Sequence, residues 1–181
     1  IYDKIKLGPF PAVVYSNFLK NGVFTLAKLL DQNDILYGII TGTTSQDKIN
    51  DVVNNYNSGK YQVLLISSAG SESLDLKATR QIHIMEPHWN FSRIKQIIGR
   101  AVRFCSHKDL PLKERNVDVY RYKCVLSSKK QSIEEKIEEI ALNKDTLIKS
   151  FYDMLKSSSI DCEFYFLLFV AKYFFEWVEL H

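Results

Sequence analysis

The amino-acid sequence predicts an α/β fold in which helices cover both faces of a parallel β-sheet. Short runs rich in apolar, β-branched and aromatic residues alternate with segments whose apolar residues recur at helical spacing. The runs are nearly continuous in apolar residues, which is typical of strands buried on both faces. The alternation favours parallel pairing, because a helix between two strands returns the chain to the same edge of the sheet.

Five runs predict the strands, and three amphipathic segments predict the helices between them. The predicted strands are residues 12–18, 37–42, 61–67, 81–86 and 117–127, and the predicted helices are residues 21–32, 45–57 and 90–103. In the second helix, Ile49, Val52, Val53 and Tyr56 fall on one face. In open sheets of this kind, functional residues collect at the carboxyl ends of the strands.

The pattern changes after Ser127, and the rest of the chain predicts a helical extension. Ser132 followed by Glu135 has the spacing of a capping box at the start of a helix. The apolar stripe from Ile133 to Leu155 indicates one long helix, or two joined near residues 143–145. We therefore expect a main domain over residues 1–128 and a helical extension over residues 129–181.

The segment at residues 164–180 is almost entirely apolar. Only eight apolar residues run unbroken, from Phe164 to Ala171, whereas a membrane span needs about 20. Lys172, Glu176 and Glu179 form one narrow polar stripe. We therefore predict no membrane contact and a helix that is buried against its own domain or against a second copy of the chain.

Composition places the chain among globular proteins and predicts no metal site. Hydrophobic residues make up 46% and charged residues 25%, and a net charge of +3 permits a polyanionic partner without requiring one. Cys105, Cys124 and Cys162 show no metal-ligand spacing, which predicts no metal site and is typical of a reducing, cytoplasmic compartment. The first residues contain neither an initiator methionine nor a signal-peptide pattern, which predicts a fragment of a longer protein.

A row of basic and polar residues runs along the helix predicted at residues 90–103. Arg93, Gln96, Arg100 and Arg103 are separated by three, four and three residues, so they share one face that points away from the sheet. The planar guanidinium suits phosphate oxygens, and two arginines one turn apart can contact different oxygens of a triphosphate. A solvated basic face is the alternative that the row by itself leaves open.

The order of short motifs resembles that of superfamily 2 helicases and translocases. QIIGRAVR at residues 96–103 is similar to their motif VI, SSAGSESLDL at 67–76 to motif V, and VVYSNF at 13–18 to motif IV. EPHWN at 86–90 is similar to the turn before motif VI in SWI/SNF-type chromatin-remodelling ATPases. IIGRAVRFCSH and SSIDC resemble the ATPases of large cytoplasmic DNA viruses, such as nucleoside triphosphate phosphohydrolase I and the early-transcription-factor ATPase subunit.

This resemblance implies that the chain is the second, C-terminal RecA-like lobe of an ATP-dependent motor. Arg100 and Arg103 then contact the terminal phosphates of ATP, with Arg103 as the arginine finger, and Gln96 helps to position the attacking water or the phosphate. ATP and Mg²⁺ are expected to be held mainly by an N-terminal lobe. The sequence itself contains neither a GxxxxGK[ST] phosphate loop nor an acidic box for Mg²⁺. We therefore expect the chain alone to be inactive as an ATPase.

The segment that resembles motif V carries the remaining residues expected to contact the nucleotide. The resemblance implies that Gly70 keeps the turn open, that Glu72 contacts the nucleotide, and that Asp75 meets the ribose hydroxyl. Ser73 stands where the family usually has a glycine before the Leu-Asp pair. A backbone that needs a positive φ is strained at serine, so this departure puts the place of Asp75 in question.

The resemblance also implies that DNA or RNA lies across the carboxyl ends of the strands. Hydroxyl and backbone N–H donors hold the phosphates of a strand without reading its bases. Ordinary turn and cap chemistry is the alternative at each position. The residues expected to make these contacts are Ser16, Asn17, Gly42, Thr43, Thr44, Ser67 and Ser68.

The viral resemblance implies a role in transcription, in the host cytoplasm or the virion, with the transcription machinery as a partner. A non-catalytic RecA-like scaffold of a transcription complex is the alternative function. In that case the helices after residue 130 and the segment at residues 164–180 form the docking and self-association surfaces. The choice between DNA and RNA stays open.

Overall fold

The computed structural model describes residues 1–68, 74–127 and 130–159 of the 181-residue chain. Within these residues, five strands form one parallel sheet in the order β2-β3-β1-β4-β5. The strands are β1 (Ala12–Ser16), β2 (Tyr37–Ile40), β3 (Val63–Ser67), β4 (Gln81–Ile84) and β5 (Asp118–Arg121). The helices are α1 (Tyr2–Leu7), α2 (Phe24–Asp31), α3 (Gln46–Asn57), α4 (Phe91–Ala101) and α5 (Ile133–Ser157).

Helices cover both faces of the sheet, so the predicted α/β class is confirmed. Successive strand residues point to opposite faces. Val14 and Leu65 pack with residues of α1 and α2, whereas Leu64 packs with Tyr56 of α3. Every residue of β1, β3 and β4 is buried, which explains the nearly continuous apolar character of β1 and β3. In β4 the buried residues include the polar Gln81 and His83. The edge strands β2 and β5 are partly or largely exposed.

The three predicted helices form, with two differences at their ends. The segment predicted at residues 21–32 begins as a π-helical turn at Leu19–Val23 and continues as α2. The helix predicted at residues 90–103 ends at Ala101, because Val102 leaves the helical region at φ −115° and ψ 62°. Arg103 therefore lies in the turn after α4, which corrects its predicted position on the helix itself.

Strand β5 is shorter than the predicted run at residues 117–127. Tyr122 still donates its N–H to the Ile84 carbonyl at 2.9 Å, but the chain then turns toward the start of α5. There Cys124 donates its N–H to the Glu134 carboxylate at 2.5 Å. The Ser132 hydroxyl donates to the Cys124 carbonyl at 2.6 Å. These bonds with the beginning of α5 replace further pairing along the sheet.

Helix α5 is one continuous helix, and the predicted capping box is confirmed. The Ser132 N–H donates to Glu135 at 2.8 Å, and the Glu135 N–H donates to the Ser132 hydroxyl at 3.1 Å. The chain divides into two units, Ile1–Ala141 and Leu142–His181. The segment predicted to be a buried helix, residues 164–180, lies outside the described residues. No helix within the described ranges is long and apolar enough to cross a membrane.

Candidate functional site

Helix α4 turns its apolar side to the sheet and leaves its polar row on another face. The Asn90 side chain caps the helix by accepting the Ser92 N–H at 3.0 Å. Ile94, Ile97 and Ala101 are buried against β4. Val102 does not join this core and is 50% exposed, because it follows the end of the helix.

The polar row of α4 lies beside the chain that follows β3. At one end of the row, the Arg93 guanidinium donates to the Ser68 carbonyl oxygen. Beyond the other end, Arg103 Nη1 lies 3.5 Å from Asp75 Oδ1, and both side chains are partly exposed. Two residues predicted for the nucleotide, Arg103 and Asp75, are therefore brought together.

Arg100 and Gln96 occupy the middle of this row. Arg100 is half-buried and has no hydrogen bond or ion pair with the residues that the structure describes, and the Gln96 side chain is exposed. The described residues thus leave the Arg100 guanidinium donors unused. Gly99 stands beside Arg100, and a Cβ added there meets no atom within 4 Å. The surface of α4 at this point is open.

The segment that carries Asp75 is extended and clamped to the end of α3. Leu74 and Leu76 point into the core, and Asp75 between them points outward. The Asn57 amide donates to the Asp75 carbonyl at 2.9 Å and accepts the Lys77 N–H at 2.9 Å. The other predicted nucleotide contacts of this segment, Gly70 and Glu72, lie outside the described residues, as does Ser73.

The turn after α4 is hydrogen-bonded to the chain just before β4. Ala78 donates its N–H to the Ser106 carbonyl at 2.9 Å. His107 Nε2 lies 2.7 Å from the Thr79 carbonyl oxygen, and its Nδ1 lies 2.8 Å from the Ser106 hydroxyl. We call Ser106, His107, Ala78 and Thr79 the latch. Sequence patterns did not reveal it, because loop residues such as these carry no periodic signal.

Ser16 and Ser67 face each other in register at the carboxyl ends of β1 and β3, as predicted from parallel pairing. However, Ser16 is fully buried, and its hydroxyl lies 3.1 Å from the Glu86 carboxylate. Gly22 packs so closely that an added Cβ falls 2.1 Å from this hydroxyl. Ser16 was predicted to donate to a phosphate, but its hydroxyl is buried between Glu86 and Gly22 and is not exposed at the surface. Ser67 is also buried, and only 5% of it is exposed.

Glu86 is the buried carboxylate behind this edge. It accepts the Asn17 N–H and the Ser16 hydroxyl, and 7% of the residue is exposed. Burial raises the pKa of Glu86, and the hydrogen bonds from Asn17 and Ser16 partly oppose this shift. The backbone donor of Asn17 is therefore already used within the protein. In the sequence, the available sign of this buried carboxylate was a glutamate at the end of the run predicted as a strand, residues 81–86.

The turn after β2 offers the most open part of the predicted nucleic-acid set. Thr44 closes the turn, because its hydroxyl accepts the Thr41 N–H at 2.9 Å. Gly42 and Thr43 are exposed. The next residue, Ser45, is the N-cap of α3, and its side chain makes no capping hydrogen bond. The backbone N–H groups of the first turn therefore have no partner in the Ser45 side chain. A groove of 590 Å³ contains Thr43, Thr44, Ser45 and Lys48.

The two sets of predicted residues lie at different parts of the lobe. The carboxyl-end residues follow β1, β2 and β3, whereas α4 runs back toward the start of the parallel strands. The latch joins the turn after α4 to Ala78, close to the first residue of β4. The polar row therefore begins beside the carboxyl end at Ser68 and leads away from it toward Asp75.

Residues 6–105 match the family described as helicase conserved C-terminal domain, which is more than half of the chain. The chain belongs to the helicase C-terminal domain family. The helicase domain has viral relatives, as the motif resemblance predicted. It is 49% identical over 160 residues to protein L538 of Acanthamoeba polyphaga mimivirus, which carries the name of an ATP-dependent RNA helicase. The match covers 87% of this chain and 36% of the relative.

Two further viral relatives support the same assignment. A termination factor NPH-I homolog of African swine fever virus is 32% identical over 169 residues, which cover 84% of this chain and 24% of the relative. Nucleoside triphosphatase I of Amsacta moorei entomopoxvirus is 40% identical over 105 residues, which cover 58% of this chain and 16% of the relative. This helicase domain thus spans about a third or less of the length of these relatives.

Solved structures confirm the RecA-like fold of the helicase domain. The C-terminal part of the Fun30 ATPase domain matches with a TM-score of 0.60 and 19% identity, covering 73% of this chain and 39% of that chain. The E. coli DEAD-box protein SrmB, solved bound to RraA, matches with a TM-score of 0.51 and 17% identity, covering 62% and 60%. At these identities the likeness concerns the fold alone.

Proposed function

We propose that this domain is the second lobe of a superfamily 2 ATPase that moves on nucleic acid, and that Arg100 and Arg103 contact the terminal phosphates of ATP. The observation that carries the proposal is the state of the two guanidinium groups. Arg100 has no partner among the described residues, and Arg103 has only a partly exposed carboxylate at 3.5 Å. Both groups remain available to an anion that approaches α4.

The chemistry of arginine fits phosphoryl transfer. Charge spreads over the equatorial oxygens of the γ-phosphoryl group as it leaves, and a fixed guanidinium stabilises this charge. We assign this role to Arg103, with Arg100 on the γ-phosphate and Gln96 orienting the attacking water or the phosphate. Gly70, Glu72 and Asp75 complete the proposed nucleotide contacts, with Asp75 next to Arg103.

The open surface at Gly99 supports an approach from outside this lobe. Glycine in a helix costs about 1 kcal/mol relative to alanine. The described residues give no steric reason for it, since an added Cβ meets nothing within 4 Å. A surface without a side chain at this point suits close contact with a nucleotide and an N-terminal lobe. That lobe would supply the phosphate loop and hold Mg²⁺, so we propose that the domain alone does not hydrolyse ATP.

For nucleic acid, we propose the carboxyl-end surface around the turn after β2. Gly42 and Thr43 are exposed there, and the unpaired N–H groups at the start of α3 and the Lys48 ammonium attract phosphate. Thr44 lines the same groove, and Asn17 and Ser68 follow β1 and β3 at the same carboxyl edge of the sheet. Ser16 and Ser67, which end these two strands, are buried. Contacts to the backbone suit either DNA or RNA.

The decisive experiment changes Arg103→Ala in the protein that joins this domain to its N-terminal lobe. Removal of an arginine finger lowers kcat by about 10³–10⁵-fold, so nucleic-acid-stimulated ATP hydrolysis should nearly disappear. Lys108→Ala, at an exposed position in the same loop, is the matched control and should keep the wild-type rate. An unchanged rate in the Arg103→Ala protein contradicts the proposed function.

A non-catalytic scaffold is the second candidate function, and exposed apolar residues of α5 favour it. Leu147, Phe151 and Leu155 lie one turn apart and are 70%, 58% and 49% exposed. Such a stripe suits a protein partner of a transcription complex. If Arg103→Ala leaves hydrolysis unchanged while Phe151→Asp abolishes assembly, the scaffold is the better description. A role in viral transcription is part of either proposal.

A further inference from the structure

We infer that Ser106 and His107 are positioning residues that hold the backbone of Arg103 in place for catalysis. The inference rests on the proposed function of Arg103 as the arginine finger. Because Arg103 lies beyond the last residue of α4, helical hydrogen bonding does not fix it. Contacts outside the helix must therefore hold its backbone, and the latch provides them.

The Arg103 carbonyl is held directly by Ser106. It accepts the Ser106 N–H at 3.1 Å and lies 2.8 Å from the Ser106 hydroxyl. The same hydroxyl lies 2.8 Å from His107 Nδ1 and 3.4 Å from the Ala101 carbonyl oxygen. The backbone of the finger residue and the imidazole ring thus belong to one hydrogen-bonded unit.

His107 connects this unit to the core of the lobe. A carbonyl oxygen only accepts, so His107 Nε2 donates its proton to the Thr79 carbonyl across 2.7 Å. The Thr79 hydroxyl lies 2.8 Å from the buried Tyr56 hydroxyl at the end of α3. The next residue, Asn57, holds the backbone of Asp75. Both Arg103 and its carboxylate partner are therefore anchored to the same helix end.

Packing does not hold the turn, which leaves hydrogen bonds as the restraint. Phe104 is 99% exposed, and Cys105 beside it is also exposed. The backbone at Cys105 has φ 61°, and Ala78 on the other side of the latch has φ 54°. Non-glycine residues adopt these angles at a cost, and only where surrounding contacts determine the conformation. The latch contacts act here together with two other bonds of the same turn, from the Lys108 N–H to the Cys105 carbonyl and from Arg115 to the Lys108 carbonyl.

The test uses His107→Ala and Ser106→Ala in the protein that also contains the N-terminal lobe. A small misplacement of a catalytic group costs up to about 100-fold in rate, so we expect kcat to fall about 10- to 100-fold. The KM for ATP should change little, since the finger acts in the transition state. His107→Gln retains an amide donor for Thr79 and should recover part of the loss. Lys108→Ala is the control at an exposed neighbour.

A second arm separates positioning from general damage. In the Arg103→Ala background, His107→Ala should cause no further loss, because residues that act through one group are not additive. A wild-type kcat in both latch variants overturns the inference, as does an equal additional loss without Arg103. If Arg103→Ala itself leaves hydrolysis unchanged, the proposed function fails instead. Circular dichroism of each variant checks that the lobe is folded. If the His107→Ala protein does not fold, the kcat of the Ser106→Ala protein tests the inference.

Discussion

His83 Nδ1 lies 2.9 Å from the Tyr122 hydroxyl and joins buried strand β4 to the chain after β5. On the other side of the ring, Nε2 lies 3.1 Å from Gln81 Oε1. The Gln81 amide donates to the Pro9 carbonyl at 2.9 Å, so its oxygen is free to accept. The network therefore places the imidazole proton on Nε2 and makes Nδ1 an acceptor, which describes a neutral His83.

This relationship predicts acid-sensitive folding. Burial lowers the pKa of His83 from 6.5 to about 4. The unfolded state then binds the proton more tightly than the folded state. Stability that is present above pH 6.5 is therefore lost as the pH falls toward 4. Thermal unfolding of the domain across this range measures the effect.

His83→Gln is the matched variant for this prediction, because glutamine keeps polar groups but does not titrate in this range. Its unfolding temperature should fall less steeply with acid than that of the wild type. The comparison removes the contribution of carboxylates, which titrate in both proteins. Equal slopes in the two proteins would falsify a buried neutral imidazole at this position.

The Asn57 clamp on the segment that carries Asp75 predicts a difference between Asn57 and Asn54, which lie one turn apart on α3. Asn57→Ala removes two hydrogen bonds to the backbone of Asp75 and Lys77. We expect it to lower the free energy of unfolding by about 1–3 kcal/mol, since each of the two lost hydrogen bonds contributes about 0.5–1.5 kcal/mol. Asn54→Ala, at an exposed position on the same helix, is the control. Urea denaturation that ranks the two variants equally contradicts the clamp.

The ion pair between Arg103 and Asp75 predicts very little stability. Its side chains are 38% and 62% exposed, and exposed pairs contribute about 0–1 kcal/mol. Asp75→Asn should therefore change the free energy of unfolding by less than about 1 kcal/mol. Denaturation in low and high salt tests this expectation. A loss far above this range means that Asp75 has a structural role, which the proposed nucleotide contact does not require.

The capping box predicts that Ser132 stabilises the start of α5. Ser132→Ala removes the acceptor for the Glu135 N–H and the bond to the Cys124 carbonyl. Loss of an N-cap costs about 0.5–2 kcal/mol. Ser150→Ala, in the exposed middle of the same helix, should cost less than about 0.5 kcal/mol. Two equal values from urea denaturation would argue against the cap.

Local patterns predicted most of the elements because periodicity reflects burial. The continuous run from Val63 to Ser67 is buried on both faces, and the helical spacing of Ile49, Val52, Val53 and Tyr56 matches the face that packs on the sheet. Helix α1 was not predicted, since six residues provide less than two turns of pattern. The end of α4 was placed too late because Val102 and Arg103 continue its spacing although the backbone has already left the helix.

The candidate site was predicted in part, and the unpredicted part consists of contacts between distant residues. The polar row on α4 follows from its spacing alone. The enclosure of Ser16 by Glu86 and Gly22 does not, because a hydroxyl at a strand end has the same local sequence whether it is exposed or buried. His107 likewise gives no local sign that it bonds to Thr79.

By itself, the sequence determined the α/β class, the capping box of α5 and the row of arginines, since each depends on residues within a few positions of one another. Tertiary structure alone decided the strand order β2-β3-β1-β4-β5, the meeting of Arg103 with Asp75, and the latch that joins Ser106 and His107 to the start of β4. The physical reason is that these arrangements arise from pairing and packing across the fold, where the stabilising partner of each group lies far away along the chain.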